Sequence, residues 1–214
     1  VPTAATPGPR WLLIPAGLAV LLVGVPLLGL LSRVPWERVP TLLATPAAAD
    51  ALRVSITTCL AATALSVALG LPLALTLARR DGRLASVVRT LVTIPMVLPP
   101  GVAGLALLVT LGRRGPVGGV LTSLGWDIGF TPVAVVLAQT FVALPYLVTA
   151  VEGALRTRGD AVERVAATLG AGPTYTLLHV TLPTIAPALA SGAALAFARA
   201  LGEFSWKIAG MLNR

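Results

Sequence analysis

Five stretches of this chain are each apolar for about 20 residues, and no other feature narrows the fold as much. A bilayer core about 30 Å thick is crossed by ~20 helical residues. A helix satisfies every backbone donor within one such segment. The runs are 11–31, 55–78, 87–111, 132–151 and 183–204. The reading is an all-α membrane protein, a polytopic bundle of five spans. Charge agrees with it: 11% of the 214 residues are charged and 56% hydrophobic. A soluble domain carries about a quarter charged residues, so too few are present here to cover a water-facing surface. The last run is rich in Ala and Gly, which suits a helix enclosed by others, where small residues let backbones approach. The first run follows Arg10 and exceeds the ~7–15 residues of a signal-peptide core. It reads as an uncleaved anchor behind an N-terminal cytoplasmic tail, residues 1–10.

The net charge is +8, and every basic residue except Lys207 is Arg. In a soluble protein that balance would suggest nucleic acid. No basic, aromatic-interleaved segment is present to track phosphates, so nucleic acid is not an expected partner. The arginines instead set orientation. With the N-terminus inside, the cytoplasmic side receives Arg10, Arg79, Arg80, Arg83, Arg89, Arg156, Arg158 and Arg164. The outer loops receive Arg33, Arg38, Arg53, Arg113 and Arg114, and the outer tail Lys207 and Arg214. Cys59 and His179 are each alone, which excludes a disulfide framework and a Cys/His metal site. No metal and no cofactor are expected. An intramembrane enzyme would need paired carboxylates, a Ser–His pair or metal ligands within the spans. The spans contain none, and His179 falls in a loop. No Gly-rich loop with a Lys is present, so ATP binding by this chain is not expected.

Prolines and glycines recur inside the spans, at Pro72, Pro95, Pro99, Pro100, Gly101, Gly104, Pro145 and Pro187. The third span, with Ile94-Pro95-Met96-Val97-Leu98-Pro99-Pro100-Gly101, is read as one kinked helix, either a packing kink or a transport hinge. Arg199 and Glu203 lie i, i+4 on the fifth span. Ionisable residues there cost ~2.5–3.5 kcal/mol on insertion scales. Two readings fit: a mutually paired couple near the outer interface, or Arg199 drawing in a passing anion while Glu203 orients it. Pro99, Pro100, Arg199 and Glu203 are the pathway candidates. Ser66, Gln139, Thr140 and Ser191 are polar within spans and can bond between helices.

The segment between the fourth and fifth spans, 152–182, carries the most pattern. Asp160-Ala161-Val162-Glu163 reads as a capping box, with Asp160 as cap and Glu163 reaching back. Val162, Val165, Ala166 and Leu169 fall close to one helical face. Gly170-Ala171-Gly172 stops that helix, Gly170 needing a special backbone conformation or a close approach that a side chain would obstruct. Pro173 is placed to open a second helix, with Tyr175, Leu178, His179 and Leu182 on one face. Two short amphipathic helices at the cytoplasmic surface are either a docking element for a soluble partner or an interfacial pair lying on lipid.

The residues Glu163-Arg164-Val165-Ala166-Ala167-Thr168-Leu169-Gly170, followed by Val180-Thr181-Leu182-Pro183, resemble the EAA loop of ABC importer permeases, with Val165 in place of the first Ala of the usual pair. The run from Ile94 to Gly104, Gly112-Arg113-Arg114-Gly115, and Phe197-Ala198-Arg199-Ala200-Leu201-Gly202-Glu203-Phe204 are similar to molybdate-type permeases, a branch close to the sulfate one. The resemblance covers about 50–204. It implies the type I importer permease fold over 11–204, with 152–182 as the coupling loop. It implies a homodimer, cytoplasmic ABC ATPase subunits that do the hydrolysis, and an external oxyanion-binding protein. Glu163, Val165, Ala166, Gly170, Gly172, Leu182 and Pro183 become the ATPase-coupling residues. The expected activity is import of an oxyanion, molybdate first, with sulfate, thiosulfate or tungstate as alternatives. After Phe204 the family pattern runs into a further span, whereas here it gives way to an atypical tail, 205–214. The expectation is a chain truncated or frame-shifted near 205, or a short natural variant. An inactive or regulatory membrane subunit is the rival reading.

Overall fold

The computed structural model describes residues 11, 13–112, 115–125 and 131–212, the side chains of Pro100 and 203–212 excepted. The chain divides into two compact units, Val1–Asp50 and Ala51–Arg214. In the first, α1 (Leu13–Ser32) buries none of its side chains, as a helix facing lipid does. The Trp36 indole donates to the Leu31 carbonyl at 3.1 Å and closes the turn after it. The short α2 (Val39–Leu43) follows.

The second unit holds most of α3 (Pro46–Ala78), then α4 (Arg83–Val97), α5 (Pro100–Leu111), α6 (Pro116–Ser123) and α7 (Pro132–Arg158). It continues with α8 (Ala161–Thr168), α9 (Pro173–Thr176), a π-helical turn (Leu177–Thr181) and α10 (Leu182–Leu212). Among the described residues, four helices are long and apolar enough to cross a membrane: Leu13–Ser32, Pro46–Ala78, Pro132–Arg158 and Pro173–Gly202. Helix α3 starts nine residues before the expected 55, because Pro46 sits well at a helix start.

The expected single kinked helix over 87–111 is corrected to two helices. Helices α4 and α5 meet at a bend of 117°. Leu98 precedes a proline and is extended (φ −69, ψ 132), the conformation that position favours. Pro99 is extended as well (φ −55, ψ 142), and α5 begins at Pro100. Two consecutive prolines remove two helix donors, so the helix ends and restarts.

The core lies on α7. Its buried stripe comprises Gln139, Thr140, Ala143, Leu147, Val151, Glu152 and Leu155, near the 3.6-residue period. Cys59, Ala62, Ser66, Gly70, Ala74 and Leu77 form the facing stripe of α3, all but one of them small. Ile185, Ala196 and Ala200 close the core from α10. At Gly192 an added Cβ would lie 3.3 Å from Leu147 Cα and 3.2 Å from Ala150 Cβ. The missing side chain is what lets α10 lie backbone-close to α7. The Gln139 amide links three helices, donating to Ala200 O (3.3 Å) and to Cys59 Sγ (3.4 Å). The Thr140 hydroxyl lies 2.7 Å from Val136 O within its own helix and 3.5 Å from Ala62 O on α3. Ser191 bonds locally to Ala188 O.

A candidate coupling site at one end of the bundle

Helix α8 forms one turn-bounded knob beyond the end of α7. The expected capping box is not formed. Asp160 has φ −111, ψ 10 and makes no cap bond, because a side-chain cap needs a β-region residue. Its carboxylate instead pairs with Arg164 one turn on. Glu163 points inward, its side chain 16% exposed. It accepts from the Thr181 hydroxyl at 2.6 Å and from Arg79 Nη2 at 3.4 Å. The acid that sequence reading turned back onto its own helix therefore ties α8 to the last helix and to the end of α3.

The end of α8 does follow the sequence expectation. Gly170 has φ +84. Its N–H donates to Ala167 O, and Ala171 N–H reaches Ala166 O, both at 3.0 Å. These two bonds are the Schellman pair that satisfies the terminal carbonyls. The conformational half of the Gly170 expectation holds. The close-approach half does not, since a Cβ there would meet nothing within 4 Å. With Glu163 anchored inside, the opposite side of α8 is apolar and bare: Val165 is 58% exposed and Leu169 83%, and Val162 is also exposed. Ala166 is half-buried.

Gly172 caps α9 in extended backbone (φ −70, ψ 161), with Pro173 at its first position. The loop is shorter than the expected 152–182. Helix α7 runs on to Arg158, and the last helix starts at Pro173. Leu182 and Pro183 thus stand inside a continuous helix rather than at its mouth. Pro183 cannot donate back to the preceding turn, and the π-helical turn Leu177–Thr181 sits directly before it, a common adjustment to such a gap. Leu182 packs on the core while Pro183 is exposed. Tyr175 and His179 stack with ring centroids 4.2 Å apart.

Beside the knob lies an ionic knot that sequence reading missed. Glu152 on α7, its side chain 10% exposed, accepts from Arg89 Nε at 2.5 Å and from Arg156 Nε at 3.0 Å. Arg89 Nη2 also donates to the carbonyls of Leu77 (2.7 Å) and Arg80 (2.9 Å), at the C-terminal end of α3. Arg156 Nη2 reaches Asp81 at 2.9 Å. Two guanidinium groups thus sit at the end of α3 where its carbonyls lack helical partners. The knot joins the end of α3 to α4 and α7. The sequence contained a signal for it. Asp81, Glu152, Asp160 and Glu163 are half of the chain's 8 acids, and all fall among its arginine clusters.

The described pathway candidates fall on two elements, the α4–α5 break and α10. Pro99 stands exposed at the α4–α5 break, and Pro100 opens α5. Arg199 is half-buried on α10. The Glu203 side chain lies outside the described residues, as do Arg113, Arg114 and Trp126-Asp127.

A bundle of long apolar helices, a broken span, and a short helix hooked beyond one end define a multi-pass membrane transport component. The chain belongs to the family described as binding-protein-dependent transport system inner membrane component, matched over residues 66–207. It is 50% identical over 196 residues to the molybdenum transport system permease protein ModB of Mycobacterium tuberculosis, covering 92% of this chain and 74% of that protein. To the ModB of Azotobacter vinelandii it is 37% identical over 155 residues, 72% and 69% of the two chains. A probable sulfate transport system permease protein cysT of Nephroselmis olivacea is 36% identical over 159 residues, 74% and 56% of the two.

Proposed function

We propose that this chain is the membrane-spanning permease of an ATP-driven importer for a tetrahedral oxyanion, molybdate in the first place, and that α8 is where a cytoplasmic ABC ATPase docks. The observation that carries the docking is the two-sidedness of α8. Glu163 fastens one side to Thr181 and Arg79, while Val162, Val165 and Leu169 stand bare on the other. A partner gripping that bare side moves the last helix with it. In this reading hydrolysis belongs to the ATPase chain. A second copy of the permease completes the pathway, and an external binding protein delivers the anion. The kinship with two proteins named for molybdenum transport supports the choice of anion. Sulfate is the second reading, supported by relatives named as probable sulfate permeases.

The protein sits in the cytoplasmic membrane with its N-terminus inside. The ends of α3 and α7 and the start of the last helix meet at the Arg-rich end, which by the positive-inside bias faces the cytoplasm. In a Cys59→Ala background, an impermeant thiol reagent added outside should label Ser123→Cys and leave Gly172→Cys unlabelled until the membrane is opened. External labelling of Gly172→Cys would invert the topology and remove α8 from the reach of a cytoplasmic ATPase.

A further inference from the structure

We infer that Arg89, with Arg79, is a positioning residue that delivers the displacement of α8 to the proline break between α4 and α5. The inference rests on the docking reading above. The contacts form an unbroken series. Glu163 on α8 holds Arg79 at the end of α3 at 3.4 Å. Arg79 lies between Leu77 and Arg80, whose carbonyls both accept from Arg89 Nη2 at 2.7 and 2.9 Å. Arg89 Nε reaches across to Glu152 on α7 at 2.5 Å, and Arg156 returns from Glu152 to Asp81 in the α3–α4 turn. From Arg89, α4 continues to Val97 and the break at Leu98-Pro99, where α5 departs at 117°.

The physical reason lies in the contrast between the middle of α4 and its C-terminal end. At Arg89, midway along α4, one planar guanidinium binds acceptors on both α3 and α7. That fork fixes the angle of α4 as well as its position. A satisfied network of this kind resists internal rearrangement. At the C-terminal end, Pro99 and Pro100 have removed the helix hydrogen bonds that would oppose bending. A push on α8 is therefore passed through the knot and absorbed at residues 98–99, on the element that holds two of the pathway candidates. Lysine at position 89 keeps the charge near Glu152 but cannot present the fork, so it separates transmission from charge pairing. A role confined to holding the fold would lower protein stability and leave coupling alone, and a proposed path between sites needs a coupling measurement.

The test uses the permease reconstituted in proteoliposomes with its ATPase and its external binding protein. Radiolabelled molybdate taken up per ATP hydrolysed is compared for the unchanged chain, Arg89→Lys and Arg79→Gln, alongside ATPase recovery per permease. Arg89→Lys should recover the ATPase as the unchanged chain does, yet transport about fivefold less molybdate per ATP, a coupling change of ordinary size. Arg79 is exposed, so Arg79→Gln should be neutral to folding. It should still lower the ratio by about twofold. Adding Glu163→Ala to Arg89→Lys should lower the ratio no further, because both cut one series. An unchanged ratio in both single variants, with the ATPase still bound, overturns the inference. If Arg89→Lys does not accumulate, Arg79→Gln alone decides. Failure of the unchanged chain to recover any ATPase would instead strike the docking reading itself, before any variant is compared.

Discussion

Leu169→Asp is expected to cut ATPase recovered per permease by about thirtyfold, equivalent to ~2 kcal/mol, while membrane insertion and melting temperature stay unchanged. The side chain is 83% exposed at the tip of α8, so its loss removes almost no internal packing. A surface change of this kind moves stability by ~0.5 kcal/mol or less. In the proposed complex the same position becomes a buried apolar contact, and a carboxylate there would be stripped of water without a partner. Val165→Asp should act in the same direction from one turn earlier. The measurement is affinity recovery of the ATPase in detergent, scaled to permease. Equal recovery with Leu169→Asp would place the docking surface elsewhere.

Glu152→Gln should be the most destabilising single change at the Arg-rich end, by about 2–3 kcal/mol. Removing one partner of a fully buried ion pair costs about 3–5 kcal/mol, because the other charge is left uncompensated. Arg89 is 28% exposed, so water takes up part of that cost. The neutral amide is nearly isosteric, which separates loss of charge from loss of packing. Thermal unfolding in detergent should show the drop, and Asp81→Asn should show far less, since Asp81 is almost fully exposed. A Glu152→Gln protein melting with the unchanged one would mean that the knot adds nothing to stability.

The spans were legible because crossing a bilayer is a one-dimensional demand, met by run length alone. The α4–α5 break was half legible. Pro99 and Pro100 announced an interruption and favour an extended Leu98, but prolines also occur at kinks inside unbroken helices, so the pattern alone did not choose between a bend and an end. The left-handed conformation of Gly170 was legible because a helix terminus of this kind is a local requirement with a local residue preference. The capping box failed for the opposite reason. Asp160 and Glu163 have the right spacing, but Thr181 and Arg79 lie 18 and 84 residues from Glu163, and those distant partners won. The knot was missed on the same ground. The arginines were assigned wholesale to orientation, and nothing in the local pattern pairs Arg89 with Glu152, 63 residues away.

ATP-dependent uptake of radiolabelled molybdate tests the central claim most directly. Proteoliposomes carrying this permease and its ATPase, with the binding protein outside and ATP enclosed, should accumulate molybdate. Leu169→Asp should abolish that uptake, and excess unlabelled sulfate should compete poorly. Accumulation of sulfate in preference to molybdate would move the chain to the sulfate branch. Absence of ATP-dependent uptake of either anion, with the ATPase demonstrably bound, would contradict the account.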